Sequence, residues 1–331
     1  MIKKDFTQLE DYKNYIKNNL RNKQSTAIYA LKHTGKTHLL NLIYDEMKEK
    51  RETIYINMEY IFNQEDLYLA FKSNVERIFN ITFDDVFDDD LGKIEFIFNT
   101  LGNRSEMEKK TIYIFINDFE KFEDIQNMKL DLNKVFHSSF INYQNLIFCV
   151  TVSNTFGVDT FEDYKSILFN FCEIVYLKNL SEKELVVYIY DCLKNADISQ
   201  NLVFYLMEKT NNMIYYIKKI CKLLRCKKRI DEELIDLVID EIYSDFSKEL
   251  YSSRLDKIRG KKHLSKALYL IATDKNPYDV LLTKVGNRGN IAKIIKSLEK
   301  EGFIAKIKEP RIKYIVFDPF LKRYILENFE K

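Results

Sequence analysis

Eight residues, Ala30-Leu-Lys-His-Thr-Gly-Lys-Thr37, constrain the fold of this chain more than any other segment. They stand between a short apolar strand predicted over 26–30 and a helical pattern carrying Leu39, Leu40, Leu42, Ile43 and Met47. Strand, Gly-Lys-Thr loop and helix in this order form the context of a Walker A phosphate loop. There the backbone N–H groups and the new helix N-terminus face an anion, the lysine reaches the β- and γ-phosphates, and the next hydroxyl ligates Mg2+. Lys36 is then the expected phosphate cation and Thr37 a metal ligand. Ala30, Lys32, His33, Thr34, Gly35 and His38 complete the expected nucleotide-binding set. Stripped of its flanking elements, a Gly-Lys-Thr triplet reads as an accidental surface turn. Ala30 takes the place of the usual first glycine and adopts positive φ only at a cost.

A phosphate loop needs a second strand that ends in carboxylates, one near Mg2+ and one that polarises the attacking water. The apolar run 111–116 ends in Asn117-Asp118-Phe119-Glu120. Asn117 stands at the metal-associated position and Asp118 at the water-polarising one, so Asp118 is the expected catalytic and metal-binding carboxylate. The amide of Asn117 brings no negative charge, which leaves slow hydrolysis, or binding without hydrolysis, as alternatives. Asn117→Asp is nearly isosteric and is expected to strengthen Mg2+-dependent hydrolysis. A third apolar run ends in Thr151-Val-Ser-Asn154, which places Ser153 or Asn154 beside the γ-phosphate and water. The alternative for each polar cluster is a simple cap on a buried strand.

Further strands are predicted over 53–57, 146–151 and 172–177, with helices over 5–22, 64–80 and 91–102. The acidic run 84–90 reads as a solvated loop. After Ser181 the pattern is helical to about residue 247. Strands alternating with helices imply a three-layer α/β domain, and the helical run implies a lid behind it. The last segment changes character: three short helices over 264–272, 278–285 and 290–301 precede two strands, 303–307 and 313–317, the make-up of a winged helix.

Composition agrees with this plan and removes other classes. The 331 residues suit two or three domains, and 46% hydrophobic with 31% charged residues excludes disorder as the main theme. Only 8 Gly and 3 Pro argue against a loop-rich all-β chain. Five cysteines without metal-like spacing read as thiols in a reducing compartment, and four scattered histidines give no zinc pattern. No membrane span or apolar leader is evident, so a cytoplasmic location is expected. Net charge is +2, yet residues 254–331 hold 19 Lys/Arg against 9 Asp/Glu, and all three prolines fall there. A domain boundary between about 245 and 262 follows. The expected division is an α/β nucleotide domain over 1–178, a helical lid over 179–253 and a winged helix over 254–331.

These residues resemble the AAA+-related P-loop ATPases of the archaeal-type ATPase and STAND group, which are similar in turn to replication initiators of the origin-recognition type. Lys32-His-Thr-Gly-Lys-Thr-His-Leu-Leu40 is similar to that group's loop, where two basic residues commonly precede Thr-Gly-Lys-Thr. Ile54-Tyr-Ile-Asn57 resembles its next strand, and Asn117-Asp-Phe-Glu-Lys-Phe122 its Asp-Glu-Phe-Gln segment. Thr210-Asn-Asn-Met-Ile-Tyr-Tyr-Ile217 is similar to the lid's Thr-Gly-Gly-Asn-Pro stretch. Tyr314-Ile-Val-Phe-Asp-Pro-Phe-Leu-Lys-Arg-Tyr324 resembles the winged-helix ending. The departures are Ala30 for Gly, Asn117 for Asp, and Asn211 and Asn212 for two glycines. The resemblance implies ATP and Mg2+ as cofactors. It also implies a lid residue that senses the γ-phosphate, for which Tyr215, Tyr216 and Lys218 are the nearest candidates.

In the basic segment, Arg288, Lys293 and Lys296 lie on the third predicted helix, and Lys306, Lys308, Arg311 and Lys313 decorate the wing. Such a helix enters a major groove while a wing touches phosphates, so double-stranded DNA is an expected partner. The alternative is a winged helix that packs on the ATPase core or on a protein partner, and a homo-oligomer is a further expected partner. The expected function is an ATP-binding switch in replication, mobile-element maintenance, regulation or defence. Its rival is a non-hydrolysing module that keeps the fold to bind a protein.

Overall fold

The apolar runs predicted as strands pair into one parallel sheet: β1 (Thr26–Tyr29), β2 (Glu52–Asn57), β3 (Ile112–Asn117), β4 (Leu146–Val152) and β5 (Glu173–Tyr176), in the order β2-β3-β4-β1-β5. The computed structural model describes residues 9–82, 89–123, 125, 129–153, 155–247, 251–256, 258, 260–307 and 312–329. The chain forms two units, Met1–Ala30 with Gly35–Lys178, and Leu31–Thr34 with Asn179–Lys331.

In the first unit every residue of β3 and β4 is buried, as near-continuous apolar runs require when helices cover both faces of a sheet. One face carries α1 (Leu9–Arg21) and α2 (Lys36–Lys48), whose Ile16, Leu20, Leu39, Leu40 and Ile43 join Phe115, Ile147 and Cys149 in one core. The other face carries α3 (Gln64–Phe79), α4 (Asp90–Met107), α5 (Lys129–Asn142) and α6 (Thr155–Glu162). Its centre is aromatic, with Phe98 edge-to-face against Phe71 at 5.1 Å and Phe136 at 5.3 Å. The fold is therefore α/β with a covered parallel sheet, as expected.

The acidic run is only partly a loop. Residues 83–88 lie outside the described residues, but Asp89 caps α4 by accepting from the Gly92 N–H at 2.7 Å, and Asp90 opens the helix. Helices α5 and α6 have no counterpart in the sequence pattern. In α5 the run Lys-Leu-Asp-Leu-Asn-Lys-Val-Phe-His-Ser-Ser breaks a clean helical period, and α6 has only eight residues. Strand β1 sits between β4 and β5 while the chain leaving it continues to β2 at the far edge. The loop after β1 thus emerges at the carboxyl ends of the strands, where open α/β sheets take ligands.

The second unit contains α7 (Glu182–Cys192), α8 (Gln200–Lys209), α9 (Ile214–Leu224), α10 (Glu232–Phe246), α11 (Ser252–Asp256), α12 (Lys262–Ala272), α13 (Pro277–Val285), α14 (Arg288–Lys300), the antiparallel pair β6 (Ala305–Ile307) and β7 (Lys313–Ile315), and α15 (Pro319–Asn328). A single core runs through it, from Leu185, Leu206, Ile217 and Ile239 to Leu268, Ile295, Phe320 and Ile325. Local signals set its helix ends. Ser181 and Glu184 form a reciprocal capping box on α7, while Asn276 with Pro277, Asn287, and Asp318 with Pro319 start α13, α14 and α15. The helix α15 is an addition to the expected set.

Candidate functional site

Helix α2 begins at Lys36, one residue after Gly35, whose φ of 100° turns the chain from strand to helix at a position suited to glycine. Ala30, the glycine substitute, is not among the residues of positive φ. Its N–H donates to the Val152 carbonyl at 3.2 Å, so alanine is accommodated as an extension of β1 without strain. The Lys36 side chain is buried, and its Nζ lies 3.3 Å from Asp118 Oδ1. A buried ammonium needs an anion, and Asp118 supplies it.

Around that pair the ends of β2, β3 and β4 close a network. The Thr37 hydroxyl donates to Asn117 Oδ1 at 3.0 Å, and the Thr151 hydroxyl donates to the same oxygen at 2.9 Å. The Asn117 amide donates to Asn57 Oδ1 at 3.1 Å and to Asp118 Oδ2 at 3.4 Å. Asn57 and Asn117 are register partners across β2 and β3, so the sheet itself brings these amides together. Asp118 has φ of 55°, an uncommon conformation for a residue with a Cβ, and its N–H donates to Thr151 Oγ1 at 2.8 Å. Strained backbone of this kind collects at functional sites.

Ser153 spans two carboxyl groups. Its N–H donates to Glu120 Oε1 at 2.9 Å and its hydroxyl to Asp118 Oδ1 at 3.3 Å. Glu120 keeps some residue surface open, yet its Oε2 is inaccessible and has no hydrogen-bond partner among the described residues. Burial pushes the Glu120 carboxyl above the usual carboxylate range; Lys36 opposes that shift and Asp118 adds to it. Burial, followed by the Asp118 charge, also pushes the Tyr55 phenol up to about 12.

The donor chemistry fits Mg2+, a hard cation that takes oxygen ligands and keeps several waters. Thr37 and Asp118 offer a hydroxyl and a carboxylate at the head of α2 and the end of β3. Asn154 lies outside the described residues, as do Lys308 and Arg311. His38 is exposed on the first turn of α2 and Lys32 is half-buried. Asn57, Thr151 and Glu120 occupy no position to which the phosphate-loop motif assigns a role. Their common signal is a polar residue at, or just beyond, the carboxyl end of a buried strand.

Residues Leu31–Thr34 belong with the second unit. Thr34 closes this segment by donating to the Leu31 carbonyl at 2.6 Å. His33, with φ of 67°, places its ring 4.5 Å from Tyr215 and 5.6 Å from Tyr216, with Nε2 3.6 Å from Asp318. Asp318 is buried, accepts from Tyr216 at 2.7 Å and Tyr251 at 3.2 Å, and caps α15. Of the three candidate sensing residues, Tyr215 and Tyr216 both lie against His33, and Tyr215 is the half-buried one of the two. Tyr216 is buried in the Asp318 network, and Lys218 is directed to Tyr188 at 5.8 Å, its pKa lowered by burial. Asn211 and Asn212 have φ of 48° and 57°, so they keep the left-handed backbone that glycines supply elsewhere.

On α14, Arg288, Lys293 and Lys296 are exposed while Ile291, Ile295 and Leu298 are buried, and Lys306 and Lys313 are exposed on the hairpin. Lys313 differs from the others: Asp274 pairs with it at 3.0 Å and with Lys322 at 2.9 Å. Its charge is therefore partly neutralised at home.

No family model and no curated protein matches the sequence. Similarity in three dimensions is extensive. The Walker-type ATPase PABY2304 of Pyrococcus abyssi aligns over 97% of this chain and 96% of its own, with a TM-score of 0.73 at 17% identity. The ORC2 protein of Aeropyrum pernix, solved in ADPNP-ADP complexes, covers 97% of this chain and 92% of its own at a TM-score of 0.61 and 13% identity. The ORC1 protein of Aeropyrum pernix, solved in complex with DNA, covers 98% and 93% at 0.57 and 12%. The fold of this chain is accordingly the P-loop ATPase fold that these Walker-type and origin-recognition proteins share.

Proposed function

We propose that this chain is an ATP- and Mg2+-binding switch of the AAA+/STAND kind, with a helical lid over 179–253 and a duplex-DNA-binding winged helix over 254–331, acting in the cytoplasm. The observation that carries the reading is Lys36, a buried ammonium at the head of α2 held 3.3 Å from Asp118. Folding an ammonium into this position is costly unless an anion repays it. In this reading a nucleotide's phosphates would compete with Asp118 for Lys36, and after that exchange Thr37 and Asp118 would be the residues that hold Mg2+. The metal supplies charge neutralisation on the phosphates. Asp118 and Ser153 move with that exchange because they share a hydrogen bond, so phosphate binding is felt at the end of β4. Among the described residues no helix is long and apolar enough to cross a membrane.

Two measurements on one sample test the reading: titration with a fluorescent ATP analogue, and malachite-green phosphate release with and without duplex DNA. Lys36→Ala removes a charge-assisted contact of about 1.5–3 kcal/mol, so its affinity for the analogue drops by roughly tenfold to a hundredfold. Equal binding by variant and wild type overturns the site.

A further inference from the structure

Two carboxyl groups flank Lys36, and their oxygens are not equally engaged. Asp118 is committed: Oδ1 takes the Lys36 ammonium and the Ser153 hydroxyl, and Oδ2 takes the Asn117 amide. Glu120 has one oxygen on the Ser153 N–H and the other, Oε2, buried without a hydrogen-bond partner among the described residues. An orphaned buried carboxylate oxygen is costly to leave unmade. It is tolerated where a ligand or a water completes it. The side chain is also fixed from behind: a Cβ added at Gly157 would stand 2.9 Å from Val152 Cβ and 3.3 Å from Glu120 Cβ, so α6 closes against it.

We propose that Glu120, two residues beyond the position that strand spacing points to, is the carboxylate that orients and deprotonates the attacking water, with Ser153 as its positioning residue. The inference rests on the nucleotide reading above. Asp118, the partner of Lys36 in the ligand-free chain, is the metal-side carboxylate once phosphates take Lys36. In the step, a water O–H proton passes to Glu120 Oε2 and the water oxygen forms a bond to the γ-phosphorus. The bond from that phosphorus to the β,γ-bridging oxygen breaks, its electron pair leaving on ADP, and Glu120 later returns the proton to solvent.

The test compares the full-length chain as wild type, Glu120→Gln, Glu120→Asp and Asp118→Asn, following phosphate release and fluorescent ATP-analogue affinity on each. Proton transfer by a positioned group contributes about 10^2–10^4-fold. Glu120→Gln is therefore expected to lower kcat by about a hundredfold or more while the analogue's Kd stays within about threefold. Glu120→Asp recovers part of kcat, since it keeps the carboxylate but shortens its reach. Asp118→Asn raises KM and lowers kcat by at least tenfold less than Glu120→Gln. The inference is overturned if Glu120→Gln turns over within about threefold of wild type, if Asp118→Asn loses the greater part of kcat, or if wild type binds the analogue without releasing phosphate. A loss of analogue binding in Glu120→Gln would also overturn it, because the residue would then be holding the site's shape. Wild type that fails to bind the analogue removes the nucleotide reading itself, a result distinct from all of these.

Discussion

Asn117 shows how one atom changes the meaning of a motif position. Read by spacing, it is a missing metal carboxylate; in the structure it is a junction that accepts from Thr37 and Thr151 and donates to Asn57 and Asp118. Its shape is close to that of aspartate, but its amide protons are in use. Asn117→Asp would therefore face Asn57 Oδ1 and the Asp118 carboxylate with an acceptor in place of a donor. The expected outcome is a loss of about 1–3 kcal/mol in the absence of Mg2+, partly recovered when the cation binds the folded state, together with faster Mg2+-dependent phosphate release. Chemical unfolding with and without Mg2+ checks it, and an unchanged unfolding midpoint without the cation contradicts the junction role. Ala30 teaches the converse lesson. A departure that looks strained in sequence is relaxed in the fold because the chain there is still extended and bonded to Val152.

Among the elements, helix packing overrides helix propensity at Gly102 of α4. An alanine there gains about 1 kcal/mol of helix propensity. Its Cβ, however, would stand 2.2 Å from the Tyr143 ring, and overpacking of a filled core costs about 1–3 kcal/mol. Gly102→Ala is expected to lower stability, read as a lower denaturation midpoint; a rise would show that the ring moves aside freely. The α1–α2 pair offers a pH-dependent contact. Lys13, at 2.5 Å, and Lys17 both bond Glu46, and these hydrogen bonds lower the Glu46 carboxyl to about 2. A depressed folded value means that the stabilisation is present above the unfolded value of 4.5 and is lost as pH falls toward 2. Because Glu46 is exposed, solvent and salt screen the contact to under about 1 kcal/mol. Glu46→Gln should cost that small amount at pH 7 and nothing near pH 2, with the pH 7 cost shrinking in high salt.

For the whole molecule, the charge imbalance becomes a statement about partners. Arg288, Lys293 and Lys296 on α14 and Lys306 and Lys313 on the hairpin stay exposed, but one hydrophobic core extends from Leu185 to Ile325, so DNA binding is best measured on the full chain. Each phosphate contact contributes a slope of roughly −0.9 in log K against log[salt]. Neutralising Lys306 and Lys308 together should flatten the slope by about 2. Arg288→Ala should alter sequence preference, whereas Lys313→Ala should have the least effect because Asp274 already holds that charge. Flat salt dependence at low salt would direct the basic face to a protein partner.

The amino-acid sequence by itself determined the parallel sheet, the phosphate loop and the helical remainder, because apolar runs, a Gly-Lys-Thr turn and caps such as Ser181 and Asp318 act over a few neighbouring residues. It also assigned Lys36, Thr37 and Asp118 to one expected site, through a phosphate loop and the strand-end carboxylate that such a loop needs. Only the tertiary structure decided which carboxylate holds the ammonium and which is left with a buried, unused oxygen. Asn57, Asn117 and Thr151 lie on three different strands and Ser153 follows the last residue of β4, so their hydrogen bonds exist only once the register of β2, β3 and β4 is set. Helices α5 and α6 and the Asp318 cluster were decided in the same way. Burial against distant residues supplies their stability, and a local pattern does not carry that information.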